Sequence, residues 1–199
     1  MKIVLATHNR GKMEEMSAIL SHLPIEILTL DSFPQIGDIP ETGVTLKENA
    51  FIKAETVHKI TGLPALADDT GLEVDALDGA PGVFSARYAG EDATFYDNCT
   101  KLIKELDHIP SGKRTARFRT VISFVKNEQK LWTEGVVEGV ILDHMKGEGG
   151  FGYDPIFYYP KLKKTFAELK KDEKNNISHR GKALRKLQEI LEKRIELNG

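Results

Sequence analysis

The chain has 199 residues, 29% of them charged and 40% apolar, and carries a formal net charge of −2. That length suits one compact domain whose core needs no disulfide or structural metal, and the near-neutral charge gives no general attraction to nucleic acid or an anionic membrane. The single cysteine, Cys99, cannot pair within the chain, no Cys or His cluster has zinc spacing, and no segment approaches the roughly 20 apolar residues of a membrane span. A soluble protein of a reducing compartment, the cytoplasm, is expected, with Cys99 a small buried hydrophobe.

Lys2 to Ala6 reads as a short buried strand, and Thr7 to Lys12 as a polar loop leading into a helix with Met13, Met16, Ile19 and Leu20 on one face. Ile25 to Leu30 fits a second strand. Pro34, Gly37, Pro40 and Gly43 then mark a long loop that carries Asp38 and Glu41. Thr45 followed by Glu48 is a capping-box pattern, which predicts a helix from about Thr45 to Thr61. Leu63 to Ala67 forms an inner strand whose end carries Asp68 and Asp69. After an irregular stretch from Leu77 to Gly90, a helix is expected from about Ala93 to Leu106, closed off by Pro110. Alternation from Arg117 to Val125 puts Phe118, Thr120, Ile122 and Phe124 on one face, and a turn at Asn127 to Gln129 makes a long antiparallel hairpin with Lys130 to Leu142. Gly147, Gly149, Gly150 and Gly152 crowd one loop, and a last helix carries Leu184, Leu187, Leu191 and Ile195 on one face. Strand and helix units with one hairpin predict an α/β domain with a mixed sheet.

Several polar segments could carry chemistry. Thr7, Asn9 and Lys12 stand where helix-start amides cradle phosphate, although a polar turn that caps the helix explains them equally well. Asp68 and Asp69 at the carboxyl end of a buried strand would repel each other unless a hard cation such as Mg²⁺ took their oxygens; the competing reading is an acidic turn. Glu73 and Asp75 read as solvated strand positions. In Phe151-Gly152-Tyr153-Asp154-Pro155 the missing side chains would let backbone approach a ligand and a ring stack on a base, or the chain simply bends beside a packed strand. His179 and Arg180 put cations at a helix start, where the dipole already disfavours them, so an acceptor-rich ligand is expected there; Ser178 suits an N-cap. Lys53 and Arg87 could approach phosphates or serve as surface charges. No nucleophile motif is present, which argues against covalent catalysis.

In order along the chain, Thr7-x-Asn9-x-x-Lys12, Glu41-Thr42-Gly43, Asn49 with Lys53, Ala67-Asp68-Asp69-Thr70-Gly71, Ser85-Ala86-Arg87-Tyr88, Gly150 to Pro155 and Ser178-His179-Arg180-Gly181 resemble the inosine triphosphate pyrophosphatases, the non-canonical purine NTP pyrophosphatases. The resemblance covers essentially the whole chain. It implies one two-lobed domain over 1–199, an elongated mixed β-sheet with helices packed on two lobes, a nucleotide-binding cleft between them, and a homodimer. The implied reaction is hydrolysis of dITP, ITP or XTP to the monophosphate and pyrophosphate with Mg²⁺, which cleanses the nucleotide pool. By the same resemblance Thr7, His8, Asn9, Arg10, Gly11 and Lys12 hold the triphosphate, with no particular role for His8 or Arg10. Lys53 and Lys12 assist catalysis, Glu41 and Asp69 bind the metal with Asp68 as a further candidate, and Asp69 is the general base. Thr70, Phe151, Gly152, Tyr153, Asp154, Lys174, His179 and Arg180 line the nucleotide. The alternatives are a pyrophosphatase for modified pyrimidine triphosphates, against which the Lys174 to Arg180 run argues, and a nucleotide-binding protein without chemistry, against which the presence of Lys53 and Asp69 argues.

Overall fold

The first strand, β1 (Lys2–Leu5), is an apolar run buried on both sides, with Ile3 and Leu5 on one face and Val4 and Ala6 on the other. It belongs to a computed structural model that describes residues 1–196, with side chains as far as 193. Asn9 caps the helix α1 (Arg10–Leu20), its side chain accepting from the Lys12 backbone N–H at 3.0 Å. Arg10, Gly11 and Lys12 therefore form the first helical turn, whereas the sequence places them in a loop. Strand β2 (Glu26–Leu28) is shorter than the expected run to Leu30, which starts a 3₁₀ turn and is buried there. Thr45 and Glu48 form the expected capping box ahead of α2 (Leu46–Thr61), and Gly62, at φ +69°, ends the helix in the left-handed conformation that favours glycine.

Strand β3 (Ala65–Val74) runs well past the expected end at Ala67. Leu72 and Val74 are buried while Glu73 is half-exposed, so the two-residue period continues. Gly71 makes room for the paired strand β4 (Pro81–Gly82): a Cβ there would lie 2.6 Å from the Gly82 carbonyl oxygen. Thr94 and Asp97 box the start of α3 (Phe95–Glu105). Strands β5 (Thr115–Lys126) and β6 (Gln129–Ile141) make the expected hairpin, turning at Asn127, whose φ is +52°. The short strands β7 (Phe157–Tyr159) and β8 (Lys164–Thr165) and the helix α4 (Lys171–Ile177) carry no hydrophobic period and were not expected. The last helix is α5 (His179–Glu196), with Ser178 Oγ accepting from the Gly181 N–H at 3.1 Å; Ile195, on its expected apolar face, lies outside the residues whose side chains are described.

Among the described residues the strands pair in the order β2-β1-β3-β5-β6-β7-β8, with β4 against β3. β1 is parallel to β2 and β3, and the pairs β3–β4, β6–β7 and β7–β8 are antiparallel, so the sheet is mixed as expected. The chain divides into two units, one made of Met1–Asp69, Thr120–Gly135 and the chain from Ser178 onward, the other of Thr70–Arg119 and Val136–Ile177.

In the first unit the sheet is covered on both faces. Ile3, Leu5, Leu66, Ile122 and Phe124 pack with Met16, Ile19 and Leu20 of α1 and with Ala183, Leu184, Leu187 and Leu191 of α5. On the opposite face Val4, Ala6, Ala65, Ala67 and Val125 pack with Ala54 and Val57 of α2. In the second unit Leu72 and Val74 meet Cys99, Leu102 and Leu106 of α3, with the rings of Phe118 and Phe157 4.5 Å apart and those of Phe157 and Phe166 4.9 Å apart. Burying each large apolar side chain contributes roughly 1.5–3 kcal/mol.

The tightest approach in the first unit is α5 on β6. A Cβ on Gly135 would fall 2.0 Å from the His179 carbonyl oxygen and 2.7 Å from the Ala183 nitrogen. Both neighbours are backbone and have no rotamer to move away. Gly135→Ala is therefore expected to lower unfolding stability by about 3 kcal/mol, read as a shifted urea midpoint; an unchanged midpoint would contradict this packing.

Candidate active site

Alternation along β3 decides where its two carboxylates go. Ala65 and Ala67 face α2, and Leu66 faces α1 and α5. A period of two therefore sends Asp68 to the α1 and α5 side and Asp69 to the α2 side. Adjacent in sequence, the two groups face opposite ways, which relieves the repulsion that made a shared cation attractive on paper. The pairing of β3 with β1 ends at Leu66, opposite Leu5, so both carboxylates lie just beyond the carboxyl end of β1.

Each side brings its own cations. On the α1 and α5 side, Arg180 donates to Asp68 Oδ2 through Nε (3.1 Å) and Nη2 (2.9 Å), and Lys12 Nζ stands 3.2 Å from the same oxygen. Arg180 Nη1 donates to Glu15, a carboxylate for which the sequence offers no signal beyond its place one turn after Lys12. Asp68 is 0% and Arg180 1% exposed. Burial pushes the Asp68 carboxyl up, but Lys12, Arg180 and Lys53 outweigh it and hold it well below the usual carboxylate range. Lys12 is lowered, chiefly by burial, with Asp68 opposing and Lys53 and Arg180 adding to the fall.

On the α2 side, Lys53 Nζ donates to Glu41 Oε1 at 2.7 Å and to Asp69 Oδ1 at 3.0 Å. Burial lowers Lys53, but Asp69, Asp68 and Glu41 together raise it above its ordinary value. Asp69 behaves oppositely to Asp68. Burial raises its carboxyl, Lys53 and Lys12 offset part of that rise, and Glu41 adds to it. Among the described residues nothing hydrogen-bonds Asp69 Oδ2, which is buried. A buried oxygen of this kind, beside the carboxylate of Glu41, fits a hard cation with oxygen ligands. Asp68 is turned to the other side, its Oδ2 engaged by Arg180 and Lys12.

In the second unit the glycine-rich loop is built around Asp154, 2% exposed. Asp154 Oδ2 accepts the Phe151 N–H at 2.9 Å and is ion-paired with Lys174, whose Nζ stands 4.5 Å from the centre of the Phe151 ring. Gly150 has φ +74°, and a Cβ there would lie 2.1 Å from Asp154 Oδ2. The Cys99 thiol donates to the Gly152 carbonyl at 3.4 Å, and burial, with Asp154 nearby, pushes that thiol up to about 12. Cys99 is thus the buried, unreactive side chain expected of it.

The remaining expected site residues divide by exposure. Thr7 and Thr70 are half-buried, with Thr7 Oγ1 accepting the Asn9 N–H at 3.1 Å. His8 and Arg10 are exposed, with His8 Nε2 3.4 Å from the Gly37 carbonyl and Arg10 3.6 Å from Glu14. Asn9 serves as a cap, as the plainer reading of that segment allows. His179 opens α5 and is buried. Tyr153 and Arg180 are engaged by groups of the chain itself. Tyr153 is 5% exposed, packs in the core of the second unit and donates its hydroxyl to the Ser85 carbonyl at 2.9 Å, so it supports the loop from within. The acceptors expected opposite Arg180 are supplied by Asp68 and Glu15 of the chain itself, with its Nε, Nη1 and Nη2 all engaged.

A model of the Ham1 family matches residues 3–190. A protein of Desulforamulus reducens named dITP/XTP pyrophosphatase is 52% identical over 192 residues, 96% of each chain. One of the same name from Geobacter sulfurreducens is 50% identical over 191 residues, again 96% of each. Among solved structures, a HAM1 protein from Coxiella burnetii aligns with a TM-score of 0.88 at 47% identity, covering 97% of this chain and 99% of that one. The Staphylococcus aureus Ham1 protein aligns at 0.87 and 42% identity, covering 98% and 100%.

Replacing Asp68 takes the carboxylate from Lys12 and leaves the buried Arg180 with Glu15 alone, whereas replacing Asp69 relieves a carboxyl that burial already disfavours. Asp68→Asn is expected to cost about 3 kcal/mol or more of unfolding stability and Asp69→Asn clearly less. Urea titration of both variants measures the order; equal losses would contradict this division.

Proposed function

The chain belongs to the Ham1 family, and we propose that it is a nucleoside-triphosphate pyrophosphatase that hydrolyses the triphosphates of deoxyinosine, inosine and xanthosine to the monophosphate and pyrophosphate. The names of its relatives describe this activity for dITP and XTP. The observation that carries the reading is the inequality of the two β3 carboxylates: Lys12 and Arg180 hold Asp68 well below the usual carboxylate range, while Asp69 is buried, raised and shares Lys53 with Glu41.

Attack of water on the α-phosphorus builds negative charge on the phosphoryl oxygens and on the departing pyrophosphate. Lys12 and Lys53 are the cations placed to meet that charge in a dry setting, where fixed charges act more strongly than in water. The hydroxyl of Thr7 and the first-turn amides of Arg10 and Gly11, at the positive end of α1, bind triphosphate oxygens. Mg²⁺, held by Glu41 and Asp69, would neutralise phosphoryl oxygens and orient the triphosphate when bound. Asp69 accepts the proton of the attacking water, a task suited to a carboxyl whose affinity for protons burial has increased. Lys53, donating to both Glu41 and Asp69, keeps the two carboxylates together without quenching either.

Recognition of the base falls to Phe151 by stacking and to Lys174, Asp154 and His179 by hydrogen bonds, with Thr70 on the nucleotide. A donor aimed at a 6-oxo oxygen meets another donor in the 6-amino group of adenine, which disfavours adenosine triphosphate. Arg180 contributes by holding Asp68. A homodimer in the cytoplasm completes the proposal; no helix among the described residues is long and apolar enough to cross a membrane.

The test is product analysis with inosine, xanthosine, adenosine, guanosine and thymidine triphosphates, with and without Mg²⁺. Metal-dependent release of pyrophosphate with the monophosphate, strongly favouring inosine and xanthosine, is expected; release of orthophosphate, or no turnover, would overturn the proposal. Asp69→Asn is expected to lower kcat by about 10²–10⁴-fold while nucleotide binding measured by calorimetry survives. Turnover retained in that variant would remove Asp69 from the proton transfer.

A further inference from the structure

Asn49 is a polar side chain only 1% exposed on a helix whose other buried residues are Leu46, Ala50, Ala54, Val57 and Lys53. A plain helix start does not need it, because Glu48 already completes the cap: Glu48 Oε2 accepts the Thr45 N–H at 3.1 Å and the Val44 N–H at 2.8 Å. Asn49 Oδ1 accepts one amide further out, the Gly43 N–H at 2.8 Å. Gly43, Val44 and Thr45 are thus tied at successive amides to the first turns of α2, and only Thr42 separates this tethered segment from Glu41. Four residues after Asn49, one helical turn on, Lys53 Nζ holds the Glu41 carboxylate itself. The same helix grips Glu41 at its side chain and at the backbone just beyond it.

The fit at Gly43 is close. A Cβ there would lie 2.6 Å from Glu48 Cβ, 2.7 Å from Asn49 Oδ1 and 3.0 Å from the Asn49 nitrogen, so a side chain at this position pushes the segment off the helix. Gly43 has no need of a left-handed backbone, being absent from the positive-φ glycines; the requirement is space for the hydrogen bond to Asn49.

From this we infer that Asn49, with Gly43, is a positioning residue for the proposed metal site: it fixes the backbone from which Glu41 reaches toward Asp69 and so sets the affinity for a divalent cation. The inference rests on the reading of Glu41 as a ligand of that cation. A carbonyl oxygen that holds a ligand's backbone acts before any substrate binds, so its effect belongs to cation affinity and not to the chemical step.

The experiment uses the whole protein with Mn²⁺ as the probe, followed by the loss of its free-ion electron spin resonance signal without nucleotide, and amide hydrogen exchange at Gly43 without metal. Asn49→Leu keeps the branched shape and removes the acceptor. Gly43→Ala keeps Asn49 and removes the room, so the question stays answerable if Asn49→Leu fails to fold. Both variants are expected to raise the Mn²⁺ dissociation constant by about tenfold or more and to raise the Mg²⁺ concentration for half-maximal activity, with turnover recovering at saturating Mg²⁺. Asn49→Leu should also expose the Gly43 amide to exchange, which a merely structural role could share; the affinity loss in a folded variant is what it would not produce. A wild-type protein that binds Mn²⁺, with folded variants that bind it equally well, would overturn the inference alone. A wild-type protein that binds no Mn²⁺ while its Gly43 amide stays protected would instead remove Glu41 as a metal ligand, and the role of Asn49 with it.

Discussion

Two carboxylates next to each other on a buried strand set the conditions for the rest of the first unit. A β-strand turns successive side chains to opposite faces, so Asp68 and Asp69 take their direct ion pairs from opposite sides of the sheet. An unpaired charge in the interior costs several kcal/mol, so each face of the sheet has to deliver cations to the same level of β3. Lys12 at the start of α1 and Arg180 at the start of α5 do so on one side, and Lys53 within α2 does so on the other. The placement of three helices is thereby tied to one dipeptide.

The two sides are not equivalent, and the proposed mechanism rests on their difference. Asp68 has more positive charge around it than it needs, and Glu15 takes up part of the excess through Arg180. On the other side Glu41 Oε1 and Asp69 Oδ1 both accept from the ammonium of Lys53, and nothing among the described residues hydrogen-bonds Asp69 Oδ2. An acidic group kept in excess of its protein partners is what magnesium-assisted phosphate chemistry uses. The second unit shows a comparable economy, with Asp154 at once orienting the Phe151 amide and holding Lys174 over its ring.

Much of this was legible from residue pattern. β1, the capped helix α2, α3 and the β5–β6 hairpin follow from apolar runs, a Thr-x-x-Glu start, a closing proline and strict alternation. The opposite orientation of Asp68 and Asp69 was missed because the strand was ended at Ala67, although the alternation of Leu72, Glu73 and Val74 was present in the sequence. The carboxylates that meet the donors of Arg180, Asp68 and Glu15, lie far away along the chain, so local pattern does not show them. Helix α4 escaped notice because Lys171 to Ile177 offers one apolar residue and no period. The family resemblance supplied what local pattern could not, by giving weak polar segments a common purpose.

In the proposed reaction the chain directs water to the α-phosphorus beside Asp69. The most direct measurement is turnover of inosine triphosphate in ¹⁸O-labelled water, with mass analysis of both products. The account predicts that the label enters inosine monophosphate and leaves pyrophosphate unlabelled. Label in pyrophosphate would mean attack at the β-phosphorus and would contradict the roles assigned to Asp69, Lys12 and Lys53.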